Sequence, residues 1–510
     1  MKTLLLDCTL RDGGYYTNWD FDKSLVTKYF QAMENLPIQY VEIGYRSKPL
    51  KGYFGEYFYC PEYVMRKAKE LMPSKKLAIM LNEKDTIAQD LEKLLVPCKP
   101  YIQMVRLAVS PERIPQAAEL AQIIKKMGFE VAFNIMYLSK FASNEAILEG
   151  LKGLEQFVDF LYLVDSYGGV FPEQVQSIIQ KVKTKTTIPL GFHGHNNLEL
   201  VMINSITAME AGVSILDATI TGMGRGAGNL KTELFLTYLA FQKGVPVDFN
   251  ALSSTVEDFE KMQKQYEWGT SLPYMVAGAN SLPQKDVMEW MSKKRFSISG
   301  LVNALKNQKN PEQDTAFPLL EITPAHKTLI IGGGTSVKEH QDAIQEFLLK
   351  NPDTVIIFST ARYAHLFNHL PNPQYIALVG NEGHRLNQIF AQLSKIPTCV
   401  LSPRPRKMGV YVPDSIANKA LELEKITFSD KFHDSPLGVS IQIALNHGVD
   451  SVYLVGFDGY NTNIDPSKYE LIQENQYLID KLLALPVTVE SWTATNYKNI
   501  SQASLFAYLG

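Results

Sequence analysis

Two histidines separated by a single residue, in "GFHGHNN" (Gly191–Asn197), are the side chains of this sequence best suited to chemistry. Side chains on a strand alternate between faces, so His193 and His195 point the same way. Gly194 between them leaves that strand end uncrowded. No other histidine occurs before His326. A carboxylate from a neighbouring element would complete a two-histidine, one-carboxylate face with open positions, which suits a catalytic divalent ion. The carboxylate selected is Asp12, in "DCTLRDGGYY" (Asp7–Tyr16). The alternative is a pair of histidines that face solvent or bond within a loop.

Such a face needs elements to position it. Apolar, β-branched runs recur at Thr3–Asp7, Tyr40–Ile43, Leu77–Leu81, Ile102–Ala108, Val131–Met136, Phe160–Val164, Ile188–Phe192 and Ile215–Ile220. Between them, stretches such as "PERIPQAAELAQIIKKMGFE" and "PEQVQSIIQKVKTKTT" place apolar residues three and four apart, the period of a helix packed on one face. Eight such units in about 250 residues match the rhythm of an α/β fold of the (β/α)₈ barrel type, with a doubly wound open sheet as the rival. In a barrel, function gathers at the C-terminal ends of the strands. Those ends are polar nearly all the way round. Asp7 to Asp12 follow the first strand and Glu42 ends the second. Arg106 lies on the fourth, Asn134 on the fifth, and Asp165 and Ser166 follow the sixth. "TGMGRGAGN", ending in Asn229, follows the eighth.

"DCTLRDG" and "GFHGHNN" together resemble the motifs of the pyruvate-dependent metal aldolases and acyl-CoA lyases or synthases. These form the hydroxymethylglutaryl-CoA lyase-like, or DRE-TIM metallolyase, superfamily, and the 4-hydroxy-2-oxovalerate aldolase branch is the nearest. "VEIG" around Glu42, "DSYGG" and "GMGRGAGN" match the same pattern, and the resemblance spans roughly residues 1–250. It implies a (β/α)₈ barrel, Asp12, His193 and His195 as metal ligands, and Arg11 as the electrophilic partner. Asn229 matches a further ligand of some lyases that the aldolases do not need. The implied cofactor is a divalent ion, Mg²⁺ or Mn²⁺ before Co²⁺. The implied partners are a small 2-oxo acid and an aldehyde.

The residue types suit that chemistry. Removing a methyl proton from pyruvate requires stabilisation of the enolate, which a Lewis-acidic metal and an adjacent guanidinium supply. Arg11 is placed for the second role; its alternative is an ion pair bracing the barrel mouth. Ser166 and the backbone beside it are candidates to hold the pyruvate carboxylate. Glu42, Arg106, Asn134 and Asp165 either contact substrate or orient other groups. The aldolases of the superfamily carry a histidine three residues after the aspartate, and here that position holds Tyr15. Tyr15 or Tyr16, a metal-bound water, or a group from elsewhere must then move the proton, unless Tyr15 only packs. "GMGRGAGN" lacks the Lys-Ser/Thr of a phosphate-binding P-loop. The other readings are a Claisen-type acyl-CoA synthase or lyase, and a binding or scaffold barrel with activity in the second half.

That second half begins with helical sequence. Residues 1–247 are expected as the barrel, 248–320 as a helical extension and linker, and 321–510 as a Rossmann-like α/β domain. "HKTLIIGGGTSVKEHQDAIQEFLLKNPDTVIIFST" reads as a βαβ unit, with further strands at Tyr375–Val379, Thr398–Leu401 and Val452–Val455. Gly332, Gly333, Gly334, Thr335 and Ser336 form a turn that could cradle a phosphate. "GVSIQIALNHGVDSVYLVGFDGY" is similar to the closing helix–strand of the nucleotide-binding folds of family 42 sialyltransferases and motility-accessory proteins. This implies a nucleotide or sugar phosphate near the glycine turn and Asp458, and by analogy a setting in surface-carbohydrate metabolism.

Composition bounds the rest. The chain has 510 residues, 45% of them hydrophobic and 20% charged, so large cores are available. A net charge of −3 argues neither for nucleic acid nor for a membrane surface, and neither is expected as a partner. No apolar run is long enough to span a membrane, and the N-terminus enters strand-like sequence at once, so a cytoplasmic protein is expected. Cys8, Cys60, Cys98 and Cys399 are scattered and expected as reduced thiols. A homo-oligomer is the expected assembly.

Overall fold

A computed structural model describes residues 3–141, 143–293, 296–310, 315–406, 408–460 and 466–509. The chain divides into two compact units, Met1–Met288 and Glu289–Gly510. The first holds eight strands: β1 (Leu4–Asp7), β2 (Tyr40–Tyr45), β3 (Lys76–Asn82), β4 (Ile102–Val109), β5 (Glu130–Ile135), β6 (Phe160–Asp165), β7 (Leu190–Gly194) and β8 (Ile215–Ala218). They pair in chain order, all parallel, and β1 closes on β8 with Leu4 opposite Ile215 and Asp7 opposite Ala218. The first half is therefore a closed barrel and not an open sheet.

Period two along these strands builds the site. One inward layer is a plug of Leu6, Tyr40, Ala78, Met104, Ala132, Tyr162 and Ile215. Two residues further along the same strands, the inward side chains are Glu42, Arg106, Asn134 and Asp217, and on β7 His193 follows Gly191. An apolar floor thus lies beneath a charged layer at the C-terminal ends. Outside, helices such as Ile114–Lys126 and Pro172–Lys183 bury an apolar face on the barrel.

Local chemistry explains two departures from the pattern in the sequence. The eighth apolar run stops being strand at Ala218, because the chain turns through Ile220–Gly222 with Thr221 at φ 52°. The Arg-Asp-Gly-Gly-Tyr-Tyr stretch is helical (Thr9–Thr17) in spite of its glycines. Gly14 must be glycine there, since an added Cβ would lie 2.1 Å from the Trp19 ring. That ring in turn donates from Nε1 to the Arg11 carbonyl at 2.8 Å.

Within 248–320 lie the helices Phe249–Tyr266, Leu272–Ala279, Gln284–Ser292 and Ile298–Lys309. The first two belong to the first unit and the last to the second. Residues 311–314 of the expected linker lie outside the described residues. The second unit is a parallel sheet of β9 (Lys327–Ile331), β10 (Val355–Phe358), β11 (Gln374–Leu378), β12 (Thr398–Leu401), β13 (Leu421–Glu422), β14 (Ser451–Val455), β15 (Thr488–Ser491) and β16 (Ser501–Gln502). Its order is β13-β12-β11-β10-β9-β14-β15-β16, so strand order reverses between β9 and β14. Apolar clusters cover both faces of this sheet, as parallel strands require.

Candidate active site

His193 is buried on β7, and its Nδ1 lies 2.8 Å from Oδ2 of Asp217 on β8. Asp217 is ionised, its carboxyl lowered by Arg106 and His193 against the opposing effect of burial. The Nδ1–H therefore donates to it and Nε2 is left free. His195 follows the same logic: its Nδ1 donates to the Asp165 carbonyl at 2.8 Å. Burial, then the neighbouring His193, pushes the His195 pKa down to about 3, so its ring is neutral at working pH. A neutral ring with a free nitrogen can serve as a metal ligand.

Asp12 completes the group. Its Oδ2 is 3.7 Å from His193 Nε2, and ligand atoms of Asp12, His193 and His195 all lie within 4.8 Å of one another. Burial would raise the Asp12 carboxyl, but Arg11, both histidines and Asn229 hold it well below the usual carboxylate range. The Asn229 amide donates to Asp12 Oδ2, while its own Oδ1 is buried with no partner.

Behind these three residues runs a bonded chain of charges. Arg11 donates from Nη1 to Asp12 at 2.6 Å and from Nε to Glu42 at 2.7 Å. Glu42 Oε2 also accepts from Arg106 Nη1 at 2.9 Å. Arg106 reaches Asp217 at 2.5 Å and Asn134 Oδ1 at 3.1 Å, and its guanidinium stacks on Tyr162. Asp12, Glu42 and Asp217 bring three negative charges to this chain against the two of Arg11 and Arg106. With the unpartnered Asn229 oxygen, the donor set fits a divalent ion.

A second cluster, Cys8, His193 and Asp217, also comes within ligand range. It fits a metal less well. Burial keeps the Cys8 thiol protonated, and the His193 nitrogen nearest Asp217 already carries a proton for it. All four cysteines are free and buried.

The remaining candidates are placed as follows. Ser166 Oγ accepts from the Tyr137 amide at 2.9 Å, which leaves its hydroxyl hydrogen to donate. The Asp165 carboxyl accepts from the Gly169 and Val170 amides at 3.3 Å, and burial raises its pKa to about 6. Tyr15 lies half-buried one helical turn beyond Arg11, its hydroxyl 3.0 Å from that of Tyr45. Tyr16 donates to the Gly226 carbonyl at 3.1 Å. Glu42 and Arg106 have no exposed surface.

Three functional neighbours went unselected in the sequence. Asp217 was a lone carboxylate inside an apolar run, "ILDATI", and that isolation was its signal. Arg225 lies among the glycines of "GMGRGAGN", whose turn chemistry is the stronger local signal. Tyr45 carried no signal at all.

In the second unit, Gly332, Gly333, Gly334, Thr335 and Asp458 line a cavity of about 1050 Å³ beyond the C-terminal ends of the strands. Gly332 and Gly456 cross closely, and a Cβ on Gly332 would meet the Gly456 carbonyl at 2.5 Å. The Asp458 carboxylate accepts from the Ser336 amide at 3.1 Å and from the Ser336 hydroxyl. The chain's own anion thus occupies that amide. The cations on the cavity wall are Arg362, which donates to the Gly333 carbonyl at 2.9 Å, and Arg385, paired with Glu382.

The relatives of this parallel eight-stranded barrel, with two histidines, a carboxylate and an adjacent guanidinium at its C-terminal mouth, place it among the lyases. The HMGL-like family model matches residues 82–261, and the chain belongs to that family, whose aldolases depend on a divalent metal. A 4-hydroxy-2-oxovalerate aldolase of Pelotomaculum thermopropionicum is 30% identical over 47% of this chain and 72% of its own length. The oxaloacetate decarboxylase of Mycobacterium tuberculosis is 26% identical over 47% of this chain and 70% of its own. Among solved structures, the N-terminal domain of a candidate aldolase from Bacteroides vulgatus is 50% identical with a TM-score of 0.56, covering 59% of this chain and 99% of that one. No described helix is long and apolar enough to cross a membrane.

Proposed function

We propose that the barrel is a pyruvate-type aldolase, making or breaking the bond between the methyl carbon of pyruvate, or a related 2-oxo acid, and the carbonyl carbon of an aldehyde. The observation that carries this reading is the Arg11–Asp12 pair, with Nη1 2.6 Å from Oδ1, set against the free nitrogens of His193 and His195. Relatives named as an aldolase and as a decarboxylase of 2-oxo acids support it, because both reactions break a bond to the carbon beside a 2-oxo carbonyl.

Asp12, His193 and His195 would hold Mg²⁺ or Mn²⁺, with Co²⁺ as an alternative, and Asn229 Oδ1 is available as a further donor. When bound, the ion supplies Lewis-acid polarisation of the 2-oxo carbonyl. Arg11, fixed by Asp12 and Glu42, keeps Nη2 without a partner among the described residues and presents it to the oxygen where negative charge develops. Glu42, Arg106 and Asn134 position Arg11, while Asp217 positions His193. The Ser166 hydroxyl holds the 2-oxo acid carboxylate. In synthesis the methyl proton of pyruvate leaves to solvent and Tyr15, hydrogen-bonded to Tyr45, hands a proton to the aldehyde oxygen; in cleavage Tyr15 takes the hydroxyl proton and solvent returns one to the enolate carbon.

The second unit we assign to a phosphorylated ligand, a nucleotide or sugar phosphate, in the cavity beyond β9 and β14. The reversal of strand order there is what supports it, since open α/β sheets bind ligands at that crevice. A setting in surface-carbohydrate metabolism rests on the same fold analogy. The barrel reading is tested by coupling pyruvate release to lactate dehydrogenase over a panel of 4-hydroxy-2-oxo acids. Metal-dependent release from at least one member is expected. No release, together with no exchange of pyruvate methyl protons into deuterium oxide, would overturn it.

A further inference from the structure

The loop after β8 carries a cation that the mechanism above does not use. Arg225 makes no ion pair and no side-chain hydrogen bond among the described residues; its guanidinium instead stacks on the Tyr15 ring, 4.0 Å from the centroid. Stacking occupies the face of a guanidinium and leaves the N–H fork at its edge free. Arg225 is half-buried, so its charge is only partly hydrated, and no carboxylate among the described residues is in direct ion-pair contact with it.

Its position is fixed by the backbone. At the preceding Gly224, an added Cβ would lie 2.2 Å from Asn229 Nδ2 and 3.0 Å from Asp12 Oδ2, so the loop crosses directly against the metal-ligand group. The next residue, Gly226, is held through its carbonyl by the Tyr16 hydroxyl at 3.1 Å and the Gly269 amide at 3.2 Å. The Ala227 amide donates to the buried Gln284 side chain at 3.2 Å. Arg225 therefore stands on a pinned loop beside the site. Charge coupling to Asp12, Tyr15 and Tyr45 agrees with that placement.

The helix Thr9–Thr17 gives the scale. Arg11 and Tyr15 are one turn apart on it, about 6 Å along the axis. A group bound by Arg225 over Tyr15 thus sits one turn beyond the oxygen that Arg11 faces, the side where an acceptor's tail would lie. We propose that Arg225 is a specificity-determining residue that selects an aldehyde bearing an anionic group, a carboxylate or a phosphate. This rests on the aldolase reading and adds the class of its second substrate.

The experiment compares matched aldehydes as acceptors for pyruvate with the Mn²⁺-loaded full-length protein. Succinic semialdehyde is paired with butanal, and glyceraldehyde 3-phosphate with glyceraldehyde. The wild-type kcat/KM should favour a charged member by about a hundredfold, the scale of a desolvated charge pair. The carboxylate and phosphate arms show which anion it is. Arg225→Met should collapse that preference, chiefly through the KM of the charged aldehyde, and Arg225→Lys should restore part of it. Equal rates for charged and neutral aldehydes in the wild type would overturn the proposal, as would a preference that survives Arg225→Met. So would a rise in the pyruvate KM for deuterium exchange in Arg225→Met, which would put the anion on the 2-oxo acid. A wild-type protein that exchanges no methyl proton overturns the aldolase reading as well; exchange without charge preference overturns this one alone.

Discussion

Asp217 holds Nδ1 of His193 at 2.8 Å and Arg106 at 2.5 Å, so one carboxylate both fixes the histidine's tautomer and ties it to the charges under Arg11. Removing its charge should therefore act on metal binding without touching a ligand. Asp217→Asn is expected to weaken Mn²⁺ binding about 10- to 100-fold, the usual consequence of losing such an outer partner. Titration followed by electron paramagnetic resonance measures it. An unchanged affinity would mean that Nδ1 orientation is set elsewhere.

The ligands themselves make a sharper test. The double variant His193→Ala/His195→Ala should lose stoichiometric divalent metal, since Asp12 alone keeps only one strong donor. Metal analysis after dialysis decides this, and full retention of metal in the barrel would refute the assignment.

Arg11 should separate enolate chemistry from mere bracing. Deuterium exchange of pyruvate's methyl group requires no aldehyde. Arg11→Ala should slow it by at least about a hundredfold, the scale of losing one preorganised donor. Arg11→Lys should recover only part, because the three N–H groups of a compact ammonium radiate from one atom and cannot reproduce the planar fork that bonds Glu42 from Nε and Asp12 from Nη1. Tyr15→Phe should spare exchange and depress full turnover.

The two pKa shifts in the site have opposite consequences for stability. The His195 value of about 3 lies below the reference of 6.5, so the folded state binds fewer protons in that window. Stability is lost as pH falls from about 6.5 toward 3. Asp165, raised by burial to about 6 from 3.8, binds more protons when folded, and stability is lost as pH rises through that window. At about 1.4 kcal/mol per pKa unit, each effect is on the order of a few kcal/mol. In metal-free protein, His195→Gln should flatten the acid loss. Asp165→Asn should raise the thermal midpoint more at pH 7 than at pH 4. Midpoints measured across pH 4 to 7 test both signs.

Gly333 offers a clean probe of the second cavity. An added Cβ there meets only Thr360 Cγ2, at 3.4 Å, so Gly333→Leu should project into the cavity beside the glycine turn without unfolding the unit. Nucleotides and sugar phosphates that raise the wild-type unfolding temperature should no longer do so in this variant. No shift in the wild type across a broad panel would point to an interaction domain instead.

The alternation of strand and helix was legible in the sequence because parallel strands buried on both faces must be apolar along their length. The histidine pair was legible for a related reason: period two puts residues 193 and 195 on one face whatever the rest of the chain does. The pairing of Asp12 with those histidines has no local geometric signal, because it depends on β1 meeting β8 and closing a ring. Asp217 came to matter only then, since a carboxylate on β8 bonds a histidine on β7 through lateral strand register, which no local pattern encodes. Glu42 and Arg106 read as strand-end polar groups, and only the layering above the apolar floor turned them into props beneath Arg11. The glycine turn at 332–336 and Asp458 are far apart in sequence, and only the return of β14 beside β9 sets the Asp458 carboxylate on the Ser336 amide. What one strand or helix can express by its own periodicity was written in the residues. What depends on which strands become neighbours was decided by closure of the barrel and the order of the second sheet.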